Sequence, residues 1–322
     1  MDGLPQAILP HGLPPRQRTV RSRIGCVGVG LHGGRRVAMT ICPAPADHGV
    51  VFHRVDLPNA PALPARWDRV GDTRLCTVLV DPEDPAIRVG TVEHLMAALA
   101  TVGVTNAAIE LDGAECPILD GSAAPFVFLL DCAGVVEQDA TVAMVMPTRP
   151  IRVTHGAAFA ELRPTLDAAA LDLRMSIVFD AGAIGRQSVA VAAAEPALRA
   201  ELVRARTFTL AGEIARMREA GLARGGSLDN AVVVDGDRVL NPGGWRMDDE
   251  CARHKLLDAV GDLALAGVAL RGRFTGHCSG HALNNQLLRA VFADRANWRA
   301  VDTAAVVTSE RGWQGAPARV AA

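Results

Sequence analysis

Three short segments of this chain hold the residue types that can hydrolyse an amide with the help of a metal. Gly90-Thr-Val-Glu-His-Leu-Met-Ala-Ala-Leu99 sets Glu93 beside His94 at the start of an apolar helix. Arg253-His-Lys-Leu-Leu-Asp258 sets His254 and Asp258 four residues apart, which is about one helical turn and therefore one face. Gly276-His-Cys-Ser-Gly-His-Ala-Leu-Asn-Asn285 places His281 behind a glycine-flanked loop. Two imidazoles and one carboxylate are zinc ligands that leave a fourth position for water, whose pKa the metal draws down to roughly 7. Glu93 then suits a general base. His281 suits an oxyanion stabiliser or a general acid, with Asp262 as the carboxylate that orients it and favours its charged form. Cys278 is a further candidate ligand, so the residues alone leave the ligand set open.

Each segment taken singly also describes ordinary structure. Thr91 reads as a helix cap, with Glu93 complementing the positive end of the helix. An i,i+4 His/Asp pair is also a plain surface hydrogen bond. His281 is also a normal helix-start residue. A fourth motif misleads: Gly28-Val-Gly-Leu-His-Gly33 matches the spelling of a dinucleotide fingerprint. That fingerprint needs a helix opening through it to receive the pyrophosphate, whereas Arg36-Val-Ala-Met-Thr-Ile41 is strand-like. These glycines fit a tight turn between strands.

The elements that must position these residues alternate between short strands and apolar helices. Strands are expected over 18–29, 35–42, 50–56, 74–80 and 105–111, with helices at 92–102 and 125–133. Residues 139–150 read as a junction. Strands then follow at 151–155, 158–162, 171–178 and 186–192, helices at 197–204 and 211–220, and paired strands at 231–235 and 238–240. Helix 250–265, a strand at 268–274 and helix 280–293 complete the second half. Both halves run from strands into an apolar helix with polar residues near one end. The expectation is two related α+β domains with the site between them.

With 322 residues, 49% hydrophobic and 21% charged, the chain has room for two domains with a large core. Its net charge of -2 provides no broad basic surface, which argues against a general nucleic-acid binder. Seven scattered cysteines without CxxC spacing fit a reducing compartment. Residues 1–16 are proline-rich without a continuous apolar run and read as a flexible extension rather than a signal peptide. Charges interrupt every apolar stretch too early for a membrane span, so the expected location is cytoplasmic.

Together these segments resemble the UDP-3-O-acyl-N-acetylglucosamine deacetylase family, the zinc enzymes of lipid A biosynthesis in Gram-negative bacteria. The likeness runs from about Gln17 to Ala300 and includes GVGLHGG at 28–34, ILDGSAAPF at 118–126 and ARTF at 205–208. It implies removal of acetate from UDP-3-O-[(3R)-3-hydroxyacyl]-N-acetylglucosamine by a monomer holding one Zn(2+). It further implies His94, His254 and Asp258 as ligands, Glu93 as base and His281 as the charged group assisting the leaving amine, oriented by Asp262. Thr207 would hold the carbonyl or oxyanion, Phe208 would pack near the reacting group, and Lys255 would lie towards the nucleotide sugar. The fold implied is a layered sandwich of two similar α+β domains, 17–140 and 141–322, with a small insert in each. The second insert, about 205–235, would form an apolar passage for the acyl chain, with Phe208, Leu210, Ile214, Met217, Leu222 and Val232 available to line it. Transient contact with the inner membrane follows from such a substrate. Two positions depart from the family pattern. Cys278 stands where a diphosphate-facing lysine is common, with another basic side chain, Arg163 or a mobile neighbour, available to compensate, and Leu162 stands at the aromatic position that stacks on uracil. Alternatives are a deacetylase of another acylated amino sugar and a noncatalytic lipid- or nucleotide-binding protein.

Overall fold

The computed structural model describes residues 15–165 and 171–301. Most of the expected N-terminal extension lies outside the described residues, as do 302–322 of the expected second domain. Arg16 does not belong to that extension, because it opens the strand Arg16–Val20.

Two five-stranded sheets carry the architecture, and they share one topology. In spatial order the first is Ile24–Val29, Arg36–Pro43, Ala107–Leu111, Val50–Arg54 and Leu63–Pro64. The second is Ile151–His155, Ala158–Arg163, Gly272–His277, Leu171–Val178 and Arg186–Ala192. In both, the sheet's last strand in chain order is inserted at the centre, antiparallel to the second and parallel to the third. The duplication expected from the order of elements is thus visible in strand pairing, where no residue-level repeat was legible. The described helices are α1 Glu93–Val102, α2 Ala124–Ala133, α3 Glu195–Glu201, α4 Ile214–Glu219, α5 Glu250–Ala264 and α6 His281–Phe292. Helices α1 and α5 occupy equivalent places in the two halves, each just before the central strand, with α2 and α6 following it.

The helices join the two sheets through one hydrophobic core. It unites Leu95 and Leu99 of α1 and Leu256 and Leu257 of α5 with Phe52 and Ile109 of one sheet and Leu173 and Phe274 of the other. Full burial of each such side chain stabilises by about 1.5–3 kcal/mol. Helix α5 also packs on strands Leu171–Val178 and Arg186–Ala192, and α6 on Ile151–His155 and Ala158–Arg163. Where α1 meets α5, a Cβ on Gly261 would overlap the Glu93 carbonyl, so glycine is what lets the two backbones touch.

Several elements differ from the sequence expectation. The strand expected over 18–29 breaks at the exposed Arg21-Ser-Arg23. Its first part pairs with Val135–Thr141 and its second becomes the edge of the first sheet. The strand expected over 74–80 is confined to Val78–Val80, because Leu75 adopts a left-handed φ of 63°. The strand at 268–274 divides at Arg271, just before Gly272, whose φ of 124° opens the central strand of the second sheet. The helix expected at 197–204 begins two residues earlier, with Pro196 in its first turn. Each half carries a small insert with a three-stranded sheet, Val70–Asp72/Val78–Val80/Arg88–Val89 and Phe208–Leu210/Val232–Asp235/Arg238–Val239. Strand Val135–Thr141 pairs with Arg16–Val20, whereas the next strand, Met144–Pro147, pairs with Ala269–Leu270 and Trp298–Ala300. We propose the domain junction at this change of partners, after residue 140.

Candidate active site

Helices α1 and α5 bring their polar ends together at a cavity of about 620 Å³. His94, His254 and Asp258, each only 3% exposed, place one ligand atom apiece within 4.8 Å of one another. Asp258 Oδ1 lies 3.2 Å from His254 Nε2 and 3.5 Å from His94 Nε2. On its far side the His254 ring offers Nδ1 to the Ala205 carbonyl at 3.1 Å. A carbonyl only accepts, so Nδ1 carries the proton and Nε2 presents a lone pair. Burial also lowers His254 to a pKa of about 4, keeping it neutral. A lone pair therefore faces a buried carboxylate oxygen that has no hydrogen-bond donor. Two such acceptors repel unless a cation lies between them, and this donor set fits a divalent metal. The other oxygen, Oδ2, accepts from Lys255 Nζ at 3.0 Å. Burial works against the Asp258 anion, but the Lys255 ammonium beside it holds its carboxyl well below the usual range.

The acid–base groups lie beside these ligands. Glu93 is 3% exposed, and burial raises its carboxyl above the ordinary carboxylate value, making it a stronger base. Its Oε1 lies 3.9 Å from His281 Nε2, and its Oε2 accepts the Thr77 N–H at 3.0 Å. His281 Nδ1 lies 3.0 Å from Asp262 Oδ2, which also accepts from Asn284 at 2.9 Å. Burial opposes the charge on His281, yet Asp262 and Glu93 outweigh it and raise the imidazole to about 9. The ring is thus charged near neutrality with Nε2–H directed at Glu93.

Thr207, Phe208, Leu210 and Lys255 all line the cavity. Thr207 is held by its backbone, which donates to the Gly121 carbonyl at 2.8 Å and accepts from Val232 at 2.8 Å. Phe208 packs edge-on to His254, with ring centroids 6.4 Å apart, and to Phe179 at 5.5 Å. Phe179 had no sequence signal beyond its type.

Other expectations need correction. Leu162 is 0% exposed, packed in the core of the second sheet, and presents no surface to a uracil ring. Ile214 opens α4 half-buried but does not line the cavity, and neither do Met217 and Leu222. Val232 is fully buried in a strand of the insert. Arg163 is ion-paired to Glu161 and does not reach the cavity, so it does not replace the lysine missing at Cys278, which itself lines the cavity. Thr91 is no helix cap: it has a φ of 54° and its hydroxyl donates to Glu115 at 3.0 Å. Glu115 also accepts the N–H groups of His32 and Gly33, each at 2.8 Å. The glycine motif is a turn between antiparallel strands, as expected, and Gly225 of the second insert donates to its Leu31 carbonyl at 3.0 Å.

Comparison with known proteins agrees with this arrangement. Residues 17–293 match the family described as UDP-3-O-acyl N-acetylglycosamine deacetylase (LpxC). A relative from Idiomarina loihiensis named UDP-3-O-acyl-N-acetylglucosamine deacetylase is 47% identical over 286 residues, covering 89% of this chain and 92% of the relative. Proteins of the same name from Shewanella sp. (strain W3-18-1) and Shewanella baltica (strain OS155) are each 46% identical over 285 residues, covering 88% of this chain and 92% of theirs. With a family match over most of its length and relatives this close, the chain belongs to the UDP-3-O-acyl N-acetylglycosamine deacetylase family.

Proposed function

We infer that this chain hydrolyses the N-acetyl group of UDP-3-O-[(3R)-3-hydroxyacyl]-N-acetylglucosamine, releasing acetate and the free glucosamine amine in lipid A biosynthesis. The observation that carries the hydrolytic reading is the convergence of two imidazole Nε2 atoms on the donor-less Asp258 Oδ1, with one of those imidazoles, His94, next to Glu93 on α1. His94, His254 and Asp258 would hold one Zn(2+). When bound, the metal supplies Lewis-acid activation of water and of the acetyl carbonyl.

The remaining work falls to the chain's own groups. Glu93 Oε1 takes the proton from the attacking water, its basicity strengthened by burial. His281 donates the Nε2 proton to the departing amine, and Asp262 on Nδ1 keeps that proton on the correct nitrogen. Thr207, at the cavity wall, holds the carbonyl oxygen as it gains charge. Phe208, Leu210 and Phe179 give the acyl chain an apolar wall, where burial contributes about 0.8 kcal/mol per CH₂. Lys255 serves the sugar side while it holds Asp258.

Among the described residues no helix is long and apolar enough to cross a membrane. A monomer working in the cytoplasm, with transient contact at the inner membrane where its acylated product is used, is consistent with this substrate. The test is acetate release from the UDP-linked substrate by zinc-loaded protein, with Glu93→Ala and metal-free controls. Zinc-dependent release that disappears in the variant is expected. Binding of the substrate without release, unchanged by the variant, would favour a noncatalytic binding protein instead.

A further inference from the structure

Thr77 belongs to none of the motifs in the sequence, yet it touches both sides of the acid–base pair. It is 1% exposed and stands where the loop that lines the cavity through Thr73 and Leu75 enters the strand Val78–Val80. Its backbone N–H donates to Glu93 Oε2 at 3.0 Å, and its hydroxyl donates to Asp262 Oδ1 at 2.6 Å. Its carbonyl accepts from Val92 N–H at 3.4 Å, just ahead of α1. One residue of the first insert thus binds the carboxylate of α1 and the carboxylate of α5 at once. The approach depends on Leu75, a non-glycine residue in a left-handed conformation that is 52% exposed at the cavity.

We propose that Thr77 is a positioning residue for this hydrolysis, holding the general base and the carboxylate behind the general acid in register across the two halves of the molecule. The proposal rests on the roles given above to Glu93, Asp262 and His281. With Oε2 occupied by the Thr77 N–H, Glu93 turns Oε1 toward His281 and the reacting groups. Asp262 Oδ2 is shared between His281 and Asn284, so the Thr77 hydroxyl is the partner that fixes the other oxygen. Without it, a carboxylate that is 2% exposed is left with an unsatisfied oxygen and is free to turn, carrying the His281 ring with it. The branched Cβ of threonine restricts its rotamers, which suits a hydroxyl that must point one way.

Thr77→Val keeps the shape and the backbone N–H and removes only the donor. It is expected to lower kcat about 10- to 100-fold, the scale of a lost hydrogen bond to a charged group. KM should move by no more than about threefold, and Thr77→Ser should restore most of the loss. In an Asp262→Asn background, Thr77→Val should have little further effect on kcat, because both changes break the same link. Unfolding temperature and zinc content, measured on each variant, separate repositioning from loss of fold. If valine prevents folding, Thr77→Cys, a poor donor of similar size, should give an intermediate loss of kcat. Wild-type kcat in Thr77→Val or Thr77→Cys overturns the proposal, as does a full, additive loss on Asp262→Asn. Glu93→Ala distinguishes this from failure of the underlying reading: turnover surviving in that variant removes Glu93 as base, whatever Thr77 does.

Discussion

Lys255 Nζ sits 3.0 Å from Asp258 Oδ2, the carboxylate oxygen that the two histidines leave free. Lys255 is also the sole lysine of the chain, all its other Lys/Arg positions being arginine. An ammonium is a compact point charge, whereas a guanidinium is a planar fork, so the two are not interchangeable at a single-oxygen contact. Burial works to lower its pKa, but Asp258 raises it, so the charge is kept.

Replacing this lysine should therefore weaken the metal site even though Lys255 is not a ligand. Lys255→Met leaves Asp258 Oδ2 without its donor, and about a 10- to 100-fold loss of zinc affinity is expected by chelator competition. Lys255→Arg should not rescue it. Unchanged affinity in both would show that the contact is incidental.

Gly261→Ala should separate α1 from α5, because the new methyl would overlap the Glu93 carbonyl. His94 lies on one helix and His254 and Asp258 on the other, so zinc affinity and stability should fall together. A loss of about 1–3 kcal/mol is expected from such overpacking, read as a drop in urea midpoint.

Activity should fall as pH rises through about 9, where His281 loses its proton. The shift is upward from the usual 6.5, so the stability it brings is fully present below that value and is lost as pH approaches and passes about 9. Asp262→Asn removes the charge most responsible for the rise, so the alkaline limb of the kcat profile should move to lower pH. A limb that stays in place would assign it to another group.

Arg206 of the ARTF segment lies outside the chemistry and binds the fully buried Glu250 at 2.8 Å, with the Arg246 N–H on the other oxygen at 2.8 Å. Burial works to raise the Glu250 carboxyl, but Arg206 and these backbone donors hold it below its ordinary value. Its contribution is present above the unfolded-state pKa and is lost as pH falls through the depressed folded value. Arg206→Met should cost about 3–5 kcal/mol in denaturant unfolding near neutral pH, since it strands a buried charge. That difference from wild type should shrink in acid.

The sequence by itself determined which reactive groups are available and how they are spaced locally. Glu93-His94 and the His254/Asp258 spacing are local, because four residues make about a helical turn whatever the helix packs against. Alternation and apolar runs likewise gave most strands and helices, and the order of elements pointed to two related halves. Tertiary structure decided what depends on residues far apart in the chain. Thr77, one threonine among many, becomes the link between Glu93 and Asp262 only when the first insert folds over the ends of α1 and α5. Leu162 carries the strand alternation of a core residue as well as of a site residue, and only sheet packing shows which side it faces. Thr91 had the composition of a helix cap, but its left-handed backbone gave its hydroxyl to Glu115 instead. A side chain's type and spacing fix what it can do, whereas the partner it finds is set by which surfaces the folded core brings within hydrogen-bond reach.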